Sequence, residues 1–121
     1  MNKKILVAED DRAILEVVKI ILEQEGYTTV FADKEDVIYK IIKEQKPDLM
    51  LLDIWLGGSN GGKIAKTIKS DKQTQHIPII MISANNETEK ITREAGADDF
   101  LLKPFNIDDL LNIVRKHVKT V

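Results

Sequence analysis

The sequence contains no cysteine. That removes a disulfide framework, a thiolate zinc site and a cysteine nucleophile at once, and it fits a reducing cytosol. No apolar run approaches the roughly 20 residues that a membrane span needs. Met1 to Lys4 followed by Ile5 to Ala8 has the outline of a signal peptide, but the apolar run is too short and Glu9-Asp10-Asp11 follows at once. Neither sign of charge dominates: 18 Lys and Arg stand against 20 Asp and Glu, for a net charge of -2. Such a balance speaks against a surface built for nucleic acid or an anionic membrane. No Pro/Gly/Ser-rich linker or low-complexity segment divides the chain. These absences lead us to expect a cytoplasmic chain with no membrane association and no direct nucleic-acid binding. The 121 residues, 43% of them apolar, suit a single domain over 1–121 with a real core.

What is present is a repeated unit. Short apolar runs recur at Ile5 to Ala8, Thr28 to Ala32, Leu49 to Leu52, Ile79 to Ile82 and Phe100 to Leu102. They are continuous rather than alternating, as in strands buried on both faces. Helical spacing lies between them. Ile14, Val18, Ile21 and Leu22 form one stripe, closed by Gly26 as a C-cap. Val37, Ile38, Ile41 and Ile42 form a second, with Asp33 placed to cap its start. Ile64, Ala65 and Ile68 mark a shorter third helix, and Ile91 and Ala95 before Gly96 a weak fourth. The last is clear, with Asn106 as N-cap and Ile107, Leu110, Leu111, Val114 and Val118 inside. Five β-α units predict an α/β fold: a five-stranded parallel sheet, flavodoxin-like, in the order 2-1-3-4-5, with helices on both faces. Sheets of this kind bind ligands at the carboxyl ends of their strands.

Those ends carry the chemistry. The first strand runs into Glu9-Asp10-Asp11, the third into Asp53, the fourth into Ser83-Ala84 and the fifth into Lys103-Pro104-Phe105. Carboxylates brought together repel, and one takes up a proton unless a cation is present. A few carboxylates, a carbonyl and waters, with no His or Cys nearby, make a Mg²⁺ pattern rather than a zinc one. An aspartate beside such a metal is a nucleophile for phosphorus. Lys103 would offset charge on the transferring oxygens, and Ser83 could donate a hydrogen bond to one of them. Each residue alone has a plainer role: Asp11 suits a helix N-cap, a lone Asp a turn, Lys-Pro a loop. The case rests on their coincidence at matching ends of successive units.

At Lys4 to Asp11, Pro47 to Asp53, Pro78 to Ala84 and Gly96 to Phe105 the sequence resembles the response-regulator receiver domains of two-component signalling, and the likeness spans nearly the whole chain. The resemblance implies roles. Asp53 is the phosphoacceptor. Glu9 and Asp10 are the acidic pair for Mg²⁺, Asp10 directly and Glu9 through water, with the backbone carbonyl of Trp55 as a further ligand. Ser83 is the switch hydroxyl, Lys103 the phosphate-binding lysine and Phe100 the switch aromatic. The donor implied is a phosphohistidine on a sensor histidine kinase or a histidine phosphotransfer protein. The response implied is a repacking of the face formed by the fourth helix, fifth strand and fifth helix, which controls an effector the sequence does not name. A dimer formed on phosphorylation is compatible with this. Such a chain acts on its own phosphorylation only and is not an enzyme toward an external substrate.

One loop departs from the family pattern. The family usually has proline four residues after the acceptor, where this chain has Gly57, within Leu56-Gly57-Gly58-Ser59-Asn60-Gly61-Gly62. Four glycines in six residues predict a loose loop that is costly to order. Trp55 is bulky for its place, and its ring either shields an aspartyl-phosphate from water or lies outward. His76 and His117 lie far apart and have no evident partner ligands, with His117 near a helix C-terminus. Met50 and Met81 suit the core. Ile113 falls off the last helix's stripe, where it is either a scattered surface residue or a partner contact.

Other functions fit less well. A haloacid-dehalogenase-type phosphatase wants a second Asp where Trp55 stands. A flavodoxin-like electron carrier would not put Glu9-Asp10-Asp11 against a flavin phosphate. A pseudo-receiver would lack the acceptor, an acid or the lysine. Nothing after Val118 encodes a helix-turn-helix, so no output domain is expected within these residues.

Overall fold

A computed structural model describes residues 2–118. Its main sheet comprises β1 (Lys4–Ala8), β2 (Thr28–Ala32), β3 (Leu49–Asp53), β6 (Ile79–Ser83) and β7 (Asp99–Leu102). All neighbours are parallel, in the order β2-β1-β3-β6-β7. This is the predicted 2-1-3-4-5 order. The helices are α1 (Arg12–Gln24), α2 (Glu35–Gln45), α3 (Gly61–Ser70), α4 (Thr88–Ala95) and α5 (Ile107–His117).

The continuous apolar strands are explained by two cores. Leu6, Ala8, Met50, Leu52, Ile79 and Met81 face α2, α3 and α4. Their immediate neighbours Ile5, Val7, Leu49, Leu51, Ile80 and Ile82 face α1 and α5. Alternation sends successive side chains to opposite faces, and both faces are covered. Met50 and Met81 are fully buried, as predicted.

Several local readings need correction. Asp33 does not cap α2: Lys34 holds the N-cap position without a side-chain hydrogen bond, and Glu35 and Asp36 supply negative charge to the first turn instead. Gly26 lies one residue beyond the C-cap Glu25, at φ +91°. The buried edge of α4 is Thr88, Thr92 and Ala95, with Ile91 only half-buried. The threonines escape a polar-burial penalty because each hydroxyl donates to a backbone carbonyl, that of Asn85 or of Thr88. Ile107 is 56% exposed rather than inside, because it sits in the open first turn of α5. Ile113 is half-buried against the α1–α5 core.

The glycine-rich segment is not a loose loop. Trp55–Leu56 (β4) and Ser59–Asn60 (β5) pair antiparallel in a short hairpin. Gly57 at φ +47° and Gly58 at φ +86° form its two-residue turn, the positive-φ geometry that suits strand twist. Asn60 then caps α3 by accepting from the Gly62 and Lys63 amides. Gly61 and Gly62 belong to the helix. No described helix is long and apolar enough to cross a membrane.

Candidate functional site

The site lies where four strands stop together. Asp53 and Ser83 are the last residues of β3 and β6, while Glu9 and Lys103 come just after β1 and β7. The ladder extends past the strand ends. The Glu9 amide donates to the Ala32 carbonyl, that of Ile54 to Ile82 and that of Lys103 to Ser83, at 3.0 to 3.1 Å. The backbone on either side of the site is therefore held as firmly as the sheet.

Lys103 is the centre of the arrangement. Its Nζ donates to Glu9 Oε1 at 2.8 Å and to Asp53 Oδ2 at 3.1 Å. Asp53 Oδ1 also accepts from the Trp55 amide at 3.1 Å. Glu9 is 3% exposed and Asp53 7%. Burial, with the neighbouring Asp53 adding to it, pushes the Glu9 carboxyl up to about 7 despite opposing bonds from Lys103 and the Asp11 amide. For Lys103, burial pulls downward, but its bonds to Glu9 and Asp53 and their charge outweigh this and raise it. The Lys103-Pro104 peptide is cis.

Carboxylate oxygens of Glu9, Asp10 and Asp53 lie within 4.8 Å of one another. One lysine pairs with two of these three acids, and Glu9 is driven toward protonation. This donor set, all oxygen with no His or Cys, fits a hard divalent cation of the Mg²⁺ kind. Asp11 is separate from it: its side chain caps α1 by accepting from the Ala13 and Ile14 amides.

Ser83 is buried, and its Oγ accepts from the Asn85 amide at 3.0 Å, which leaves the hydroxyl hydrogen available to a ligand. Phe100 is half-buried against the α2–α3–α4 core. Trp55 is 58% exposed, so its residue lies mostly in solvent and the outward reading holds.

Residues 5–115 match the model for "Response regulator receiver domain". The chain belongs to the response regulator receiver domain family. It is 37% identical over its full length to the phosphate regulon transcriptional regulatory protein PhoB of Escherichia coli, covering 54% of that protein. The chain thus spans about half the length of this curated relative. A CheY-like receiver domain protein of Methanospirillum hungatei superposes at TM-score 0.88 with 31% identity, over 98% of this chain and 94% of that one. The receiver domain of a Pseudomonas aeruginosa sensor histidine kinase, solved with magnesium in its active-site cleft, matches in fold at TM-score 0.88 and 24% identity, over 99% and 100% of the two chains. Phosphoacceptance is the function of a receiver domain, and the acidic cluster at the strand ends suits it.

Two features escaped sequence reasoning. Gly57 donates its amide to Asp10 Oδ2 at 3.1 Å, from 47 residues away. His117 Nε2 meets Asp99 Oδ2 at 2.7 Å, so His117 does have a partner. Neither bond has a local pattern, since each joins segments that only the fold brings together.

Proposed function

We propose that Asp53 is the phosphoacceptor and that Glu9, Asp10, Asp53 and the Trp55 backbone carbonyl hold Mg²⁺ beside it. The single observation that carries this reading is Lys103 Nζ shared between Glu9 and Asp53 beside a three-carboxylate cluster. An Asp53 oxygen attacks phosphorus of a phosphohistidine; the new O–P bond forms as the N–P bond breaks, and the imidazole leaves. Bound Mg²⁺ supplies charge neutralisation on the transferring oxygens. Lys103 exchanges its carboxylate contact for a phosphoryl oxygen. Ser83 donates its free hydroxyl hydrogen to another.

The donor is a sensor histidine kinase or a histidine phosphotransfer protein in the cytoplasm. Residues 1–121 act as one receiver unit. Ser83 moving toward the phosphoryl group and Phe100 turning inward repack the α4–β7–α5 face, which carries the half-exposed Leu102 and Ile107. That face engages the effector or a second phosphorylated copy.

The test is incubation with Mg²⁺ and acetyl phosphate or beryllofluoride, alongside Asp53→Asn. A Mg²⁺-dependent change in Trp55 fluorescence and one added phosphoryl group by mass, both lost in the variant, are expected. No phosphoprotein and no spectral change would point instead to a partner-binding pseudo-receiver.

A further inference from the structure

We propose that the backbone amide of Gly57 is a positioning group for Asp10, and that it sets the affinity of the cation site. The inference rests on the metal reading given above. Lys103 reaches only two of the three clustered acids, Glu9 and Asp53. Among the described residues, the one hydrogen bond to the Asp10 side chain comes from Gly57, at 3.1 Å to Oδ2. Asp10 is exposed, so no packing fixes its rotamer. Without that donor its carboxylate would swing into solvent, away from the charge of its neighbours.

The donor is held by the hairpin. The antiparallel pairs Trp55 with Asn60 and Leu56 with Ser59 force the two residues between them into a tight turn. Gly57 turns at φ +47°, and a Cβ there would stand 3.2 Å from the Asp33 carbonyl oxygen, so the turn is wedged between the segments that follow β1 and β2. Proline at this position, the residue usual in the family, has no amide hydrogen and could not make the bond. In this chain the four-glycine segment replaces a rigid imino acid with a donor aimed at a metal ligand. A carboxylate with one oxygen pinned by an outer hydrogen bond presents the other in a fixed direction, and loss of such a partner costs roughly 10- to 100-fold in metal affinity.

The experiment is a Mg²⁺ titration of the full chain by calorimetry and by Trp55 fluorescence. The variants are Gly57→Pro, Gly58→Asn and a backbone ester at Gly57, with glycolic acid in its place. The ester removes only the N–H and keeps the turn. The ester and Gly57→Pro are expected to raise the Mg²⁺ dissociation constant at least about tenfold. Gly58→Asn alters the other residue of the same turn, where a Cβ would meet nothing within 4 Å, and leaves the Gly57 amide in place, so it should bind to within about threefold of the unmodified chain. An ester that binds as tightly as the unmodified chain overturns this inference and leaves the metal site standing. Equal weakening in the ester and Gly58→Asn overturns it in favour of turn shape alone. An unmodified chain that takes up no Mg²⁺ at millimolar concentration overturns both this and the reading it rests on.

Discussion

Lys103 Nζ stands 2.8 Å from Oε1 of Glu9, although 94 residues separate them in the chain. The pair spans the site from the strand end of β7 to that of β1, with Asp53 between them also in reach of the same ammonium. One cation is thus the counter-charge for two buried acids. The geometry of an unphosphorylated receiver depends on it.

Lys103→Met keeps the length of the side chain and removes the charge. Breaking a buried pair by removing one partner leaves an uncompensated charge, and the expected cost near pH 8 is roughly 3 kcal/mol. At pH 5 Glu9 escapes by holding a proton, since its carboxyl is already pushed up to about 7. The loss should therefore be clearly smaller at pH 5. Urea unfolding at both pH values measures this, and an equal loss at the two would show that Lys103 contributes only its packing.

The Glu9 shift also predicts a proton balance. Its ordinary value is 4.5 and its folded value about 7. Between these the folded chain holds a proton that the unfolded chain has released, so this group's contribution to stability falls as pH rises from 4.5 to 7. A divalent cation at the site favours the ionised carboxylate and expels that proton. At pH 6 we expect Mg²⁺ binding to release close to one proton, and above pH 8 almost none. Calorimetry in two buffers of different ionisation enthalpy reads the number directly. Buffer-independent heats at pH 6 would mean that Glu9 is already ionised there.

Two adjacent glycines at the start of α3 should respond differently. A Cβ on Gly61 would stand 2.5 Å from the Asp53 carbonyl oxygen and 2.8 Å from Ile54 Cα, both backbone. The Gly61 amide donates to the Ile54 carbonyl at 2.6 Å, so the helix start is pressed against the end of β3. Gly61→Ala must move one or the other, at about 3 kcal/mol, and should displace the acceptor. A Cβ on Gly62 would meet side-chain atoms of Asn60 and Ile91 at 3.1 Å. Ile91 is half-buried and can yield, while Asn60 Oδ1, the cap acceptor for the Gly62 and Lys63 amides, must shift by a few tenths of an ångström, and alanine's better helix propensity, at most about 1 kcal/mol, offsets that. Gly62→Ala should therefore be within about 1 kcal/mol of the parent by thermal unfolding, with acetyl-phosphate labelling intact.

The legibility of this fold follows from which forces leave local traces. Strands buried on two faces are apolar nearly throughout, so β1, β3 and β6 stand out as runs such as Leu49 to Leu52, while the edge strands β2 and β7 are only partly buried and show as mixed runs. A strand end next to a charged residue is equally visible, and Glu9, Asp53 and Lys103 could be aligned before any geometry was known. The Gly57-Gly58 turn was misread because glycine content signals conformational freedom, and only the pairing of Trp55 with Asn60 turns that freedom into a specific bend. Thr88 and Thr92 were missed as buried residues because their polarity is neutralised by backbone carbonyls, which composition does not reveal.

The Asp99–His117 contact was also beyond sequence, and it ties the end of α5 to the start of β7. Asp99 Oδ1 accepts from the Phe100 amide at 2.9 Å, while Oδ2 meets His117 Nε2 at 2.7 Å and Lys116 Nζ at 3.5 Å. Burial alone would raise the Asp99 carboxyl, but the His117 bond, the Phe100 amide and the charges of Lys116 and His117 together hold it below its ordinary 3.8. A carboxyl lowered on folding stabilises above its ordinary value, and that contribution is lost as pH falls through the lower folded value. His117→Ala removes the strongest of the lowering partners. The variant should lose about 1 kcal/mol at pH 7, and the difference from the parent should shrink as pH falls through the lowered folded value of Asp99. Its Asp99 should titrate at higher pH by carboxyl NMR. The same strand carries Phe100, so the Phe100 amide resonance should shift in step with Asp99. An unchanged Asp99 titration in the variant would mean that Lys116 and the Phe100 amide suffice to hold the carboxylate, with the histidine a bystander at the helix end.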